Sequence, residues 1–172
     1  MSDRTTVRIQ PDRAQLAGLF KAFREMDKDS QVKLKNDVSL ISAWSAGELQ
    51  TGAFNAPMQA QAQRVAQTVR PNKDRIPNVT IGGSKQRFSG GAVSGQVLFG
   101  NEFGANSTSP AGAFPNGGRR FPFRSPSKGR GNTGYWIFKT LTSIQPEITR
   151  RWKASVTEVL NNWNKGAGGG YG

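Results

Sequence analysis

Apolar positions along this chain change period several times, and each change predicts an element. Thr5 to Gln10 alternates polar and apolar side chains around Val7 and Ile9, which predicts a short edge strand. Asp12 can then cap a helix whose apolar face is Leu16, Leu19, Phe20, Phe23 and Met26, ending near Lys28. Asp29-Ser30 offers a second cap, and Leu34, Val38, Ile41 and Trp44 recur at three- and four-residue spacing. Gly47 and Gly52 weaken the pattern, and Asn55-Ala56-Pro57 can end one helix and begin another. Ala62, Val65, Ala66 and Val69 continue as a thin stripe. Residues 30 to 70 therefore read as one long, kinked helical arm that needs a neighbouring surface to pack on.

The pattern shifts at Pro71. A loop bracketed by Pro71 and Pro77 leads to a strand at Val79-Thr80-Ile81, stopped by Gly82-Gly83. From Phe88 to Phe99 the period is blurred by glycines and predicts a short helix or turn followed by an apolar segment. Residues 104 to 134 are rich in Gly, Ser, Pro and Asn. Structureless loops beyond about 15 residues are uncommon in compact domains and usually carry function. Tyr135-Trp136-Ile137-Phe138 reads as the best strand in the chain. Ser143 then caps a helix over about 143–164 with Ile148, Trp152, Val156, Val159, Leu160 and Trp163 on one face. The expectation is one α+β domain over 1–165, followed by a flexible Gly-rich tail at 166–172. Within it lie a helical arm over about 12–70, a small antiparallel sheet with its long loop over about 76–140, and the C-terminal amphipathic helix.

Composition narrows the chemistry. Among 172 residues there is no cysteine and no histidine. Disulfides, thiolate nucleophiles, the commonest general base and the commonest zinc ligand are thereby excluded. Eleven acids remain and none cluster at metal-ligand spacing; Asp27 and Asp29, separated by Lys28, read as helix-terminus residues. No nucleophile elbow is present. The chain is expected to be no enzyme, with no cofactor and no metal. No apolar run approaches membrane-spanning length and the polar start Met1-Ser2-Asp3-Arg4 resembles no signal peptide, so assembly in a cytoplasm without membrane contact is expected.

Net charge is +13 and unevenly spread: residues 71–131 hold nine Lys/Arg against Asp74 and Glu102, a net +7. Such a field favours polyanions or acidic protein surfaces. Two nearby motifs carry no chemistry. Gly129-Arg130-Gly131-Asn132-Thr133-Gly134 has dinucleotide-loop spacing but follows a Pro/Ser loop and precedes a strand pattern, and Gly82-Gly83-Ser84-Lys85 lacks phosphate-loop spacing.

Two segments stand out. Leu98-Phe99-Gly100-Asn101-Glu102-Phe103-Gly104 holds a lone acid between aromatics, which is costly to bury unpaired. Its ordinary role is an internal salt bridge or an acceptor for backbone amides; its sharper role is a pair across subunits. Arg119-Arg120-Phe121-Pro122-Phe123-Arg124 mixes cations with rings. These residues suit solvated loop charge, nucleic-acid phosphates with stacked bases, or docking on an acidic subunit surface, and Pro122 and Pro126 favour an extended arm. Glu102, Phe103, Arg119, Arg120, Phe121, Phe123 and Arg124 are the candidate subunit-interface residues. Lys128 and Arg130 are candidates for contact with DNA or an acidic partner.

The order of these segments resembles the small neck or tail-completion proteins of long-tailed bacteriophages, the minor tail component or head–tail joining group. The resemblance spans about residues 12–164. It rests on Ala56-Pro57 in the helical arm, Asp74-Arg75-Ile76-Pro77 before Val79-Thr80-Ile81-Gly82-Gly83, and Phe99-Gly100-Asn101-Glu102-Phe103-Gly104. Phe121-Pro122-Phe123-Arg124, the aromatic run at 135–138 and the closing helix with Trp152 and Trp163 complete it. Where the family commonly has Thr-Gly-x-Leu after Ala-Pro, this chain has Met58-Gln59-Ala60-Gln61. The resemblance implies an α+β subunit without catalytic residues, in a ring of six in the virion neck, between the portal or connector complex and the tail tube. Its partners would be itself, the adjacent connector or stopper, the tail terminator or tail-tube protein, and passing double-stranded DNA read without sequence specificity. The alternatives are a tail terminator ring capping the tube and a non-specific nucleic-acid-binding accessory protein.

Overall fold

The structure is a computed structural model and describes residues 6–9, 21, 23–83, 94–104 and 134–167. It is mostly helical with a small antiparallel sheet, an α+β arrangement. Strand β1 (Thr6–Ile9) is followed by helix α1 (Lys28–Gly52), a 3-10 turn at Ala53–Asn55 and helix α2 (Gln59–Ala66). Strands β2 (Arg70–Pro71) and β3 (Val79–Gly82), helix α3 (Ser94–Phe103) and helix α4 (Ile137–Ala167) complete the order. The sheet runs β1-β3-β2, with Val7 opposite Ile81 and Arg70 opposite Thr80. Of the predicted first helix, 23–25 are helical; Leu16, Leu19 and Phe20 lie outside the described residues.

Helix α1 starts two residues earlier than its sequence signal. Asp27 is the cap, accepting from the Ser30 amide at 2.8 Å and the Ser30 hydroxyl at 2.7 Å. These bonds hold the Asp27 carboxyl below its ordinary pKa. The helical arm is not continuous. Ala56, with φ −74° and ψ 147°, is extended, because a residue before proline is pushed out of the helical region. Met58 then opens α2 without a side-chain cap.

The apolar stripes meet in two clusters. Leu49, Ala53, Val65, Val69, Ile81, Leu98 and Trp136 belong to the first, which joins the end of α1 to α2, the sheet, α3 and the start of α4. Phe23, Met26, Leu34, Val38 and Val159 form the second, with Trp152, Val156, Leu160 and Trp163 packed against it. The closing helix thus uses its predicted apolar face on α1. Arg151 also lies over the Trp44 ring at 4.2 Å, and Lys33 reaches Glu158 at 3.2 Å. Gly52 sits so close to α4 that a Cβ there would overlap the Thr140 hydroxyl.

Loop 72–78 is fixed by the amides of buried Asn78 and half-buried Asn72. The Asn78 backbone N–H donates to Ser42 Oγ at 3.1 Å, its side chain donates to Ile76 O at 3.2 Å, and Asn72 donates to Asn78 Oδ1 and to Thr80 Oγ1.

Two expectations are corrected. Tyr135–Phe138 is no strand: Ile137 and Phe138 are the first residues of α4. Ser143 is no cap either, since α4 begins six residues before it and the Ser143 hydroxyl donates to Thr140 O at 2.7 Å. Pro146 lies inside the helix, where its missing N–H removes one bond of the ladder. The predicted loop 104–134 keeps only its ends, Gly104 and Gly134, among the described residues.

Candidate functional site

Every α-helix begins with backbone N–H groups that have no partner inside the helix. At α4 they point at Glu102, the next-to-last residue of α3. The Glu102 carboxylate accepts from Trp136 N at 3.2 Å and Ile137 N at 2.9 Å through Oε2, and from Phe138 N at 3.0 Å through Oε1. Tyr135 N donates to the Glu102 backbone carbonyl at 2.8 Å. One residue therefore binds four consecutive amides from a segment more than thirty positions away. The positive end of the helix dipole adds to the attraction.

Glu102 is fully buried. Burial pushes its pKa above the ordinary glutamate value, while the amides of Phe138, Ile137, Trp136 and Tyr135 pull it back. Alongside, the Trp136 indole N–H donates to Asn101 Oδ1 at 2.6 Å, also buried. Two glycines make the close approach feasible. Gly104, with φ 78°, closes α3, and its N–H donates to Gly100 O at 2.9 Å. Gly134 has φ 70°, and a Cβ there would overlap the Glu102 carboxylate.

The arrangement is a staple. It ties the end of α3, two residues before Gly104, to the start of α4 just after Gly134, and so anchors both ends of the 29-residue segment 105–133. Of the roles expected for Glu102, acceptor for backbone amides is the one its geometry fills. Phe103 lies half-buried beside it, its ring 6.2 Å from that of Phe99 and 5.7 Å from that of Phe138. Phe99 and Phe138 remain 47% and 44% exposed, so the three rings form an open aromatic patch at the base of the segment. Arg119, Arg120, Phe121, Phe123, Arg124, Lys128 and Arg130 lie outside the described residues.

Sequence reasoning singled out Glu102 but missed the amides of Trp136, Ile137 and Phe138, and with them Gly134 and Asn101. The signal available was an apolar run, Tyr135 to Phe138, preceded by glycine and by no capping side chain of its own. Local periodicity cannot see a cap supplied from another helix.

A second exposed apolar feature lies on α1. Val32, Leu40 and Phe54 are 56%, 69% and 58% exposed. With Asn36, Ala43, Gly47 and Gln50, all exposed, they follow the helix period along one side, continuing into the 3-10 turn, and carry no charge. Among the described residues, no group of three or more acids could hold a metal ion, and no helix is long and apolar enough to cross a membrane. No protein-family model, no curated protein and no solved structure matches this chain.

Proposed function

We propose that this chain is a structural subunit of a long-tailed bacteriophage virion. It forms a ring in the head–tail neck that joins the portal or connector complex to the tail tube and keeps the DNA passage continuous. The observation that carries the reading is the staple at Glu102. Three hydrogen bonds accepted by a buried carboxylate, a backbone bond and two left-handed glycines all serve to fix the base of a 29-residue segment that has five cations and no acid. A rigid mount for a long basic, aromatic segment suits an arm that becomes ordered against neighbours during assembly. It fits the resemblance drawn from Phe99 to Gly104 and Phe121 to Arg124.

Exposed apolar positions support an assembling subunit too. Val32, Leu40 and Phe54 on one side of α1, and Phe99 and Phe138 at the patch, leave large side chains in water on a chain of net charge +13. Surfaces of that kind mark protein contacts. In this reading the cations at 119–124 meet acidic groups of the neighbouring subunit or the next ring, while Lys128 and Arg130 face passing DNA or an acidic partner. A strongly basic lumen would grip the strand it has to let through.

The test is the particle made without this chain. The reading predicts filled heads and finished tails that fail to join. Tails of uncontrolled length would instead indicate a terminator ring. Normal joined particles would refute both. The nucleic-acid reading predicts DNA affinity of the purified chain that falls steeply between two salt concentrations; binding absent at low salt removes it.

A further inference from the structure

We propose that the patch formed by Phe99, Phe103 and Phe138 is the socket for the Phe121-Pro122-Phe123 segment of a second copy of this chain. The inference rests on the ring reading above and deepens it by assigning the surface on which one subunit holds the next.

Three observations lead there. The Phe103 ring meets those of Phe99 and Phe138, both open to solvent, and the neighbouring Glu102 ties α3 to the first turn of α4. An aromatic surface of this kind gains most from another aromatic partner, since offset or edge-on ring pairs contribute about 0.5–1.5 kcal/mol beyond the area they bury. The second observation is composition. Segment 105–133 holds three large apolar residues, Phe114, Phe121 and Phe123, among glycines, prolines, serines and cations, too few to build a core of its own. Its rings need apolar surface elsewhere. Arginines flanking the two phenylalanines add a preference for ring faces.

The third observation is reach. Both ends of the segment are fixed at the patch, and Phe123 stands eleven residues before Gly134. A fully extended chain spans at most about 3.3–3.6 Å per residue, so this leg reaches about 36–40 Å, and Phe121, two residues further from Gly134, about 43–47 Å. A compact chain of this length has a radius of gyration of about 16 Å and hence a width of about 40 Å. An extended arm therefore just spans the distance to the same patch on an adjacent subunit. The proline between the rings and Pro126 just beyond favour extended backbone through their fixed φ, a preference that opposes a tight return to the arm's own base. A contact from each subunit to the next is heterologous, the kind that closes rings.

The test uses the full chain. Photoreactive benzoylphenylalanine replaces Phe138 in an unlabelled copy, which is co-assembled with an equal amount of 15N-labelled wild-type chain and irradiated. The expected result is a cross-link from position 138 to a peptide containing Phe121 or Phe123, with about half of the captured peptides 15N-labelled. Capture of unlabelled 121–123 alone shows that each chain fills its own patch and overturns the inference. Rings in which position 138 captures other segments or nothing overturn it too, while leaving the ring reading intact. A chain that stays monomeric without this cross-link overturns both.

A second pair of variants gives an independent readout. Phe121→Ser/Phe123→Ser and Phe99→Ser/Phe138→Ser should abolish ring formation to the same extent, with the helical circular dichroism and melting temperature of the monomer retained. Rings that survive either pair contradict the socket.

Discussion

A buried carboxylate normally needs a cation; Glu102 has a helix instead. Its two oxygens face three N–H donors, and only an oxygen can serve both positions. Glu102→Gln turns one position into an NH2 group and leaves at least one buried amide unpaired. The expected cost is about 1–3 kcal/mol, or about 2–12 °C in melting temperature at 2–4 °C per kcal/mol for a chain of this size. Gly134→Ala should unfold the same corner, since a side chain there needs both the left-handed backbone and the space of the carboxylate. The pH response has a definite sign. Because the folded pKa of Glu102 is raised, its contribution is fully present below the ordinary glutamate value of 4.5 and is lost as pH rises through the folded pKa. The stability gap between wild type and Glu102→Gln should therefore narrow above pH 4.5. A gap that widens would contradict the assignment. Trp136→Phe tests the neighbouring bond: it should leave Asn101 Oδ1 unpaired and cost about 1–3 kcal/mol by thermal melting.

Among the elements, α1 and α4 hold each other through the Phe23–Val38 cluster, with Arg151 on Trp44 and Lys33 between Asp37 and Glu158 at its margin. Arg151→Ala should weaken this pair by about 1 kcal/mol, because a cation over an indole at a half-exposed site contributes about that much. Circular dichroism melting checks it. Glu147 lies on the same helix and pairs with Arg150 and Arg151 at 2.7 Å each, which lowers its pKa from 4.5 to about 2. Its favourable contribution is present above pH 4.5 and is lost as pH falls through about 2. An NMR titration of the Glu147 carboxyl should show a midpoint near 2 at low salt that moves towards 4.5 in high salt, since these ion pairs are exposed and screened. An unshifted midpoint would contradict the pairing.

Much of this level was legible from the sequence. The apolar spacing of Leu34 and Val38 and that of Trp152, Val156 and Val159 specify faces that meet, and Val79 to Ile81 reads correctly as a strand, which Gly82 extends by one residue. What stayed hidden was set over long range. Tyr135 to Phe138 has the composition of a strand, and only four amides turned towards Glu102 make it the start of a helix. The break at Ala56 was half-visible in Pro57. Phe103 was readable as an interface candidate, but its ring contact with Phe138 requires α3 and α4 to converge.

For the whole molecule, the described residues form a body with a fixed arm base, an open aromatic patch and an uncharged side of α1. In the reading proposed above, these features serve contacts with other copies of the chain. A net charge of +13 keeps free copies apart by repulsion, so association should strengthen when salt screens it. Sedimentation at two ionic strengths should show more assembly at the higher one; DNA affinity should move the opposite way.

The most direct test of the central claim is the mass and shape of the purified full chain at high concentration and moderate salt, by native mass spectrometry with electron microscopy of the same sample. The account predicts closed rings of six copies of the 18.7 kDa chain with an open centre. A particle that remains a single 18.7 kDa chain at every concentration and salt would contradict it.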